Sequence, residues 1–385
     1  MRANKRTENR FYVSRREFLN RSASLAFGFV LVSPFSPFLL APSRLCRELV
    51  EKSTLPRTST VVHRATFTMG TIVQVSACGE NRAHCNHAIE RMFAEFYRID
   101  RLMSVYKADS QISQINRQAG RSGVRVDQCL VEILELANRF SSFTDGAFDV
   151  TIEPLMELWG FRSDNPPQAG LRTRPSDREI AETLQAVGHR NVIIDQNSST
   201  VGLAHPRSRI DLGGIAVGYS LDRAAEILRA EGIEGALINH SGDLFALGGP
   251  QEGDAWEVCI ADPLQPETAI TSVRLRDSAL STSGSYRNFL EIEGERFGHI
   301  MDPRNGFPRD AVLSTTAIAP KGVDADGLST AAFVLGPQRS ETVLNQFSNV
   351  QLISIVLRDG RLDLRSMRSP SSRGRCRNVS VKCDQ

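Results

Sequence analysis

The chain has 385 residues, 41% hydrophobic and 23% charged, with 46 Lys and Arg against 44 Asp and Glu. This is the make-up of a globular protein that buries one large core or two smaller ones. The net charge of +2 comes from arginine-rich ends, so the middle is near neutral and carries no nucleic-acid footprint. No period of the solenoid or propeller kind is present. Seven cysteines, at 46, 78, 85, 129, 259, 376 and 383, show no C-x-x-C spacing. That argues against zinc and thioredoxin-like chemistry and for buried structural thiols, while Cys376 and Cys383 could pair in an oxidising compartment.

The first segment, "SRREFLNRSASLAFGFVLVSPFSPFLLAPS", sets Arg15 and Arg16 ahead of Phe18, Leu19 and an apolar run broken by Pro34 and Pro37. It resembles a twin-arginine export signal and is kept out of the fold. The run is short and proline-broken for a membrane span. Two fates stay open for it: cleavage, or retention as an anchor that would associate the protein with a membrane. The expected division is 1–45 as signal and linker, 60–365 as the folded domain and 366–385 as a disordered basic tail. The expected location is the periplasm or the outer side of the cytoplasmic membrane.

Within the folded part, Ile89, Met92, Phe93, Phe96, Ile99, Leu102 and Met103 recur at three and four and predict an amphipathic helix. Leu130, Ile133, Leu134, Ala137 and Phe140 predict another. A third opens at Ser176, where Glu179 completes a capping box. The runs "NVIID", "GALIN", "WEVCIAD" and "ITSVRLR" read as strands, and hairpins turn at Gly294 and at Asp359-Gly360. Helices and strands mix without βαβ alternation, which predicts an α+β fold.

"IDLGGIAVGYSLDRAAEIL" at 210–228 is a strand end, a glycine-rich turn and a helix. It has neither the dinucleotide fingerprint nor the lysine of a P-loop, yet its bare backbone suits a phosphate or a metal. "KGVDADGLSTAAFVLG" at 321–336 puts Asp324 and Asp326 at the start of an apolar helix. Either carboxylate could cap that helix. Asp326 and Thr330 also share one face and could give a hard cation two oxygen ligands. Turn-prone clusters such as "TMGT" (68–71), "SVYKADS" (104–110), "GAFD" (146–149), "NHSGD" (239–243), "STSGSYRNF" (281–289) and "HIMDPRNGFP" (299–308) lie at the ends of elements, where scaffolds carry function.

Taken in this order, the clusters from about Phe67 to Gly336 resemble the ApbE family of flavin transferases. The resemblance implies an exported, Mg²⁺-dependent enzyme of two-lobed α+β fold with FAD in the cleft between the lobes. It implies transfer of FMN from FAD to a Thr or Ser of an acceptor protein through a phosphoester, releasing AMP. It places the metal on Asp326, Thr330 and the Gly214 carbonyl, which leaves Asp324 as the expected helix cap. It places FAD against Met69, Tyr106, Ala147, Phe148, Asp149, Asp211, Val217 and Ile300, with Phe148 and Tyr106 packing on flat rings and the carboxylates accepting from adenine or ribose. His299 is the expected proton acceptor.

The chain departs from the family at four of these clusters. Val217 stands where a Lys or other polar residue is common, Ser241 where a Gly, Asn305 where a Thr and Gly327 where an Ala is usual. None is an expected metal ligand. Three other outcomes remain open: hydrolysis of FAD to FMN and AMP, an exported FAD-binding carrier, and an exported flavin oxidoreductase. The last has no redox cysteine pair or nicotinamide site in its favour.

Overall fold

The computed structural model describes residues 60–162, 173–251, 253–286, 288–310 and 312–370. The Arg15–Arg16 segment, Cys46, Cys376 and Cys383 lie outside them. Eight strands form one sheet: β1 (Thr60–Thr68), β2 (Thr71–Gly79), β3 (Gly235–His240), β4 (Asp243–Leu247), β5 (Ser278–Gly284), β6 (Ser314–Ala319), β7 (Gln351–Arg358) and β8 (Arg361–Arg368). Their spatial order is their chain order, and every neighbouring pair is antiparallel. The helices are inserted between strands: α1 (Arg82–Met103), α2 (Gln111–Arg117), α3 (Gln128–Phe143), α4 (Glu153–Trp159), α5 (Asp177–Leu184), α6 (Ala216–Ala230), α7 (Gly322–Leu335) and α8 (Pro337–Leu344). This is the α+β architecture expected from the sequence, and the capping box at Ser176 and Glu179 is present.

The central strands read as continuous apolar runs because both sheet faces are covered. Ala236, Ile238, Phe245, Leu247, Ala279 and Ala317 point into the main core with α1, α3, α6 and α7. Their neighbours Leu237, Leu244, Ala246, Leu280 and Ile318 point to the other face, under the ribbon of Trp256–Ala261 paired with Ala269–Leu275. A separate small core joins α4 and α5 to the hairpin Phe289–Gly298 through Leu155, Trp159, Ile180, Ile292, Phe297 and Met301. The small core stands apart from the two on the sheet faces, as a second lobe requires. β8 runs to Arg368, and Val350 and Ser369 exchange two hydrogen bonds of 2.9 and 3.1 Å. Strand β8 thus continues past the boundary expected at 365, because Ser366, Met367 and Arg368 still pair with Ile353, Leu352 and Gln351 of β7. No helix among the described residues is long and apolar enough to cross a membrane.

Helices α6 and α7 cross where Gly218 meets Gly322. A Cβ on either glycine would overlap the other's carbonyl oxygen, so only glycine permits this approach. The crossing lets each helix cap the other. Asp326 of α7 accepts from the Gly218 N–H at 2.8 Å, and Asp222 of α6 accepts from Gly322 and Val323 N–H at 2.5 and 2.9 Å. Asp324 makes no cap: the residue preceding α7 is Lys321, and the capping carboxylate arrives from a hundred residues away. The expectation for Asp324 is corrected on that ground, since a partner distant in sequence supplies what a local residue was expected to supply.

Candidate active site

The glycine turn, the end of β5 and the first turns of α7 meet at one place. Thr330 Oγ1 lies 3.4 Å from where a Cβ on Gly214 would stand, and the Phe148 ring lies 3.2 Å from it, so bare backbone faces the Thr330 hydroxyl. Ser283 Oγ is 3.1 Å from Thr330 Oγ1 and 2.9 Å from Ser329 Oγ. Asp326 sits one turn before Thr330 and is only 4% exposed. Burial raises its pKa well above the usual carboxylate range, and the nearby Asp243 and Asp222 carboxylates raise it further. Burial also raises Asp243, whose carboxylate accepts from Thr282 N–H at 3.3 Å.

Carboxylates gathered this way, with the Thr330 hydroxyl one turn on and bare glycine backbone facing it, offer oxygen donors. Such a set fits a hard divalent cation, whose charge would relieve the repulsion between the acids. No cluster of three His, Cys, Asp or Glu suited to a metal occurs among the described residues. The structure sets Gly214 against Thr330, with Asp326 one turn earlier on the same helix and Asp243 near Asp326; the sequence marked Asp243 only as the end of "NHSGD".

The residues expected to hold FAD group less evenly. Met69 takes a left-handed turn with φ of 50°, and its N–H is held by Asp100 at 3.1 Å. Asp100 also receives Lys107 at 2.9 Å, which ties the "TMGT" turn to the loop carrying Tyr106. Tyr106 itself is 77% exposed. Ala147 and Ile300 share a small apolar cluster with Val312, Phe333 and Val334. Phe148 belongs to the main core and packs on Phe140 at 5.8 Å, so its ring is a wall behind the glycine turn more than an open platform.

Asp149 departs from the open carboxylate expected. It accepts from Thr151 N–H at 2.8 Å, Thr151 Oγ1 at 2.6 Å and His189 N–H at 2.6 Å, which occupies most of its acceptor capacity in holding its own turn. Asp211 accepts from Gly213 N–H at 2.8 Å and pairs with Arg162. Val217 is half-buried against the main core, and its side chain has no polar group to offer FAD. Arg162 and Asp100 lie outside the motifs of the sequence, and their roles rest on contacts with Asp211, Tyr106 and Met69, which are distant in the chain.

His299 receives its local geometry from Asn288. The carbonyl of Asn288 can only accept, so Nδ1 at 3.1 Å bears the proton and Nε2 keeps its lone pair. Burial, then the Arg162 charge, hold the imidazole pKa below its ordinary value, partly offset by the bond to Asn288. A neutral imidazole with a free Nε2 is the form a proton acceptor needs.

Two departures find a physical reason. A Cβ on Gly327 would sit 3.0–3.1 Å from three ring atoms of Phe140, so glycine gives Phe140 room. Asn305 Oδ1 accepts from Phe307 N–H at 3.0 Å and closes its turn. Ser241 has φ of 60°, a conformation suited to the glycine usual there.

Comparison with known proteins bears on the family and the fold. The family model described as the ApbE family matches residues 69–354. The FAD:protein FMN transferase of Klebsiella pneumoniae (strain 342) is 34% identical over 283 residues, covering 72% of this chain and 80% of the relative. The protein of that name from Escherichia coli (strain K12) is 32% identical over 283 residues, with the same coverage of 72% and 80%. Among solved structures, the ApbE protein of Thermotoga maritima superposes with a TM-score of 0.71 at 31% identity, covering 81% of this chain and 98% of that one. The flavin transferase ApbE of Vibrio cholerae gives 0.69 at 27% identity, covering 82% and 98%. With the ordered motifs, the oxygen-lined site and the shared fold pointing one way, this chain belongs to the ApbE family.

Proposed function

We propose that the protein transfers FMN from FAD to a Thr or Ser hydroxyl of an acceptor protein. The observation that carries this reading is the convergence of Gly214, Thr330, Asp326 and Asp243 on one oxygen-lined site in a chain whose relatives bear the name FAD:protein FMN transferase. The acceptor oxygen attacks the FMN phosphorus, the bond from that phosphorus to the bridging oxygen breaks, and AMP departs with that oxygen. His299 Nε2 takes the proton released by the hydroxyl. Asp326, Thr330 and the Gly214 carbonyl would hold a Mg²⁺ ion, which neutralises pyrophosphate charge when bound. Met69, Tyr106, Asp211 and the apolar pair Ala147 and Ile300 would orient the FAD. The signal-like Arg15–Arg16 segment supports an exported site of action, on acceptors outside the cytoplasm.

The test needs a competent acceptor, found by comparing masses of exported proteins from cells with and without this protein. Incubated with FAD, Mg²⁺ and that acceptor, the protein should release AMP and leave the acceptor heavier by one FMN moiety. AMP with free FMN and an unmodified acceptor would establish hydrolysis instead. Tight binding of intact FAD would establish a carrier.

A further inference from the structure

We infer that Arg162 is the positioning residue of the flavin site, holding Asp211 and Tyr106 in the arrangement that binds FAD; the inference rests on the transferase reading above. α4 ends at Gly160, whose left-handed φ of 85° turns the chain back on itself. The turn is pinned by Phe161 N–H to Met156 O at 2.8 Å and by Trp159 Nε1 to Gly306 O at 2.9 Å. It returns Arg162 to the start of its own helix, where Nε donates to Glu153 at 2.8 Å. The two remaining guanidinium nitrogens reach in separate directions, one to the Asp211 carboxylate and one to the Tyr106 hydroxyl. The guanidinium also lies over the Tyr106 ring, 5.4 Å from its centre.

Three features make this more than a surface ion pair. The Arg162 side chain is 17% exposed and its two carboxylate partners are 16% and 12% exposed, so the charges are largely withdrawn from water. The segment 211–221, "DLGGIAVGYSL", has no cation of its own, and Arg162 is the cation bound to its first residue. Tyr106 is mostly exposed, and a ring in that position keeps one orientation only if something holds its hydroxyl. A planar fork with donors in three directions can hold a carboxylate and a phenol at once, whereas an ammonium cannot fix both directions.

The test reads FAD affinity, by fluorescence titration of the full chain in EDTA, beside transfer rate at saturating FAD. Arg162→Gln should weaken FAD binding tenfold or more, a ground-state effect, and, because the Arg162 charge also lowers the His299 pKa, should move the acid limb of the saturated rate to higher pH. Arg162→Lys should restore only part of the affinity. Asp211→Asn added to Arg162→Gln should cost less than about twofold more, because both act through one arrangement. Tyr106→Phe, which removes only the held hydroxyl, should lower affinity severalfold and keeps the test decisive where Arg162→Gln fails to fold. Unchanged affinity in Arg162→Gln and Tyr106→Phe, or independent additive losses in the double variant, would overturn the role. A wild-type protein that binds FAD but transfers nothing would sink the transferase reading and leave the affinity test standing.

Discussion

His299 keeps a lone pair on Nε2 because a carbonyl fixes the proton on Nδ1, and it stays neutral because burial and the Arg162 charge oppose protonation. Transfer should therefore fall only as pH drops through the lowered pKa, placing the acid limb of the saturated rate below the ordinary histidine value of about 6.5. An acid limb above that value would remove His299 from the role of base. His299→Ala should slow transfer far more than it weakens FAD binding, since the proton leaves only in the transition state. Asp326 makes a different prediction. A carboxylate whose folded pKa lies above its unfolded value destabilises the fold at neutral pH, where the unfolded chain holds it charged at no cost. Asp326→Asn should raise the melting temperature in EDTA and abolish the rise that Mg²⁺ gives the wild type. A calorimetric scan with and without Mg²⁺ checks both, and a full Mg²⁺ response in the variant would move the ion elsewhere.

At the scale of elements, the reciprocal capping of α6 and α7 explains why glycine and aspartate recur at their starts. Gly218 and Gly322 let the backbones touch, and Asp222 and Asp326 then satisfy N–H groups that the crossing would bury unpaired. The same crossing buries Asp326 one turn before Thr330, so the carboxylate proposed above as a metal ligand is also a cap. Asp222→Ala should destabilise the protein by about 2 kcal/mol, the upper range for a lost cap, because two N–H groups lose their partner. Asp324→Ala should cost much less. Urea unfolding of both variants tests the ranking, and equal losses would mean that the Asp222 bonds contribute little.

For the whole molecule, the sheet is a frame of eight antiparallel strands whose long insertions carry the site. The residues of the proposed site come from the loop after β1, the helical insertion before β3, the turn before α6, the hairpins before β6 and the start of α7. Assembly of the site therefore waits on the whole fold, which suits export after folding. Replacing both Arg15 and Arg16 with Lys should trap the precursor in the cytoplasm, as read by cell fractionation. Undiminished export of that variant would refute the twin-arginine assignment.

Much of this protein was legible in its sequence. Apolar spacing marked α1 and α3, the Ser176–Glu179 box marked α5, and turn residues marked the hairpins, because these signals depend on neighbours within a few positions. The ordered clusters identified the family. The rest depended on contacts between residues far apart in the chain. Asp222 could not be seen as the cap of α7, nor Arg162 as the partner of Asp211 and Tyr106, because both roles exist only once separate segments meet. Asp149 shows the reverse: its residue type suited a ligand, and tertiary structure turned most of its acceptors inward. Local chemistry determined which side chains were available to the site, and packing decided which of them keep free hydrogen-bonding capacity, since a group already satisfied within the fold has little left to offer a substrate.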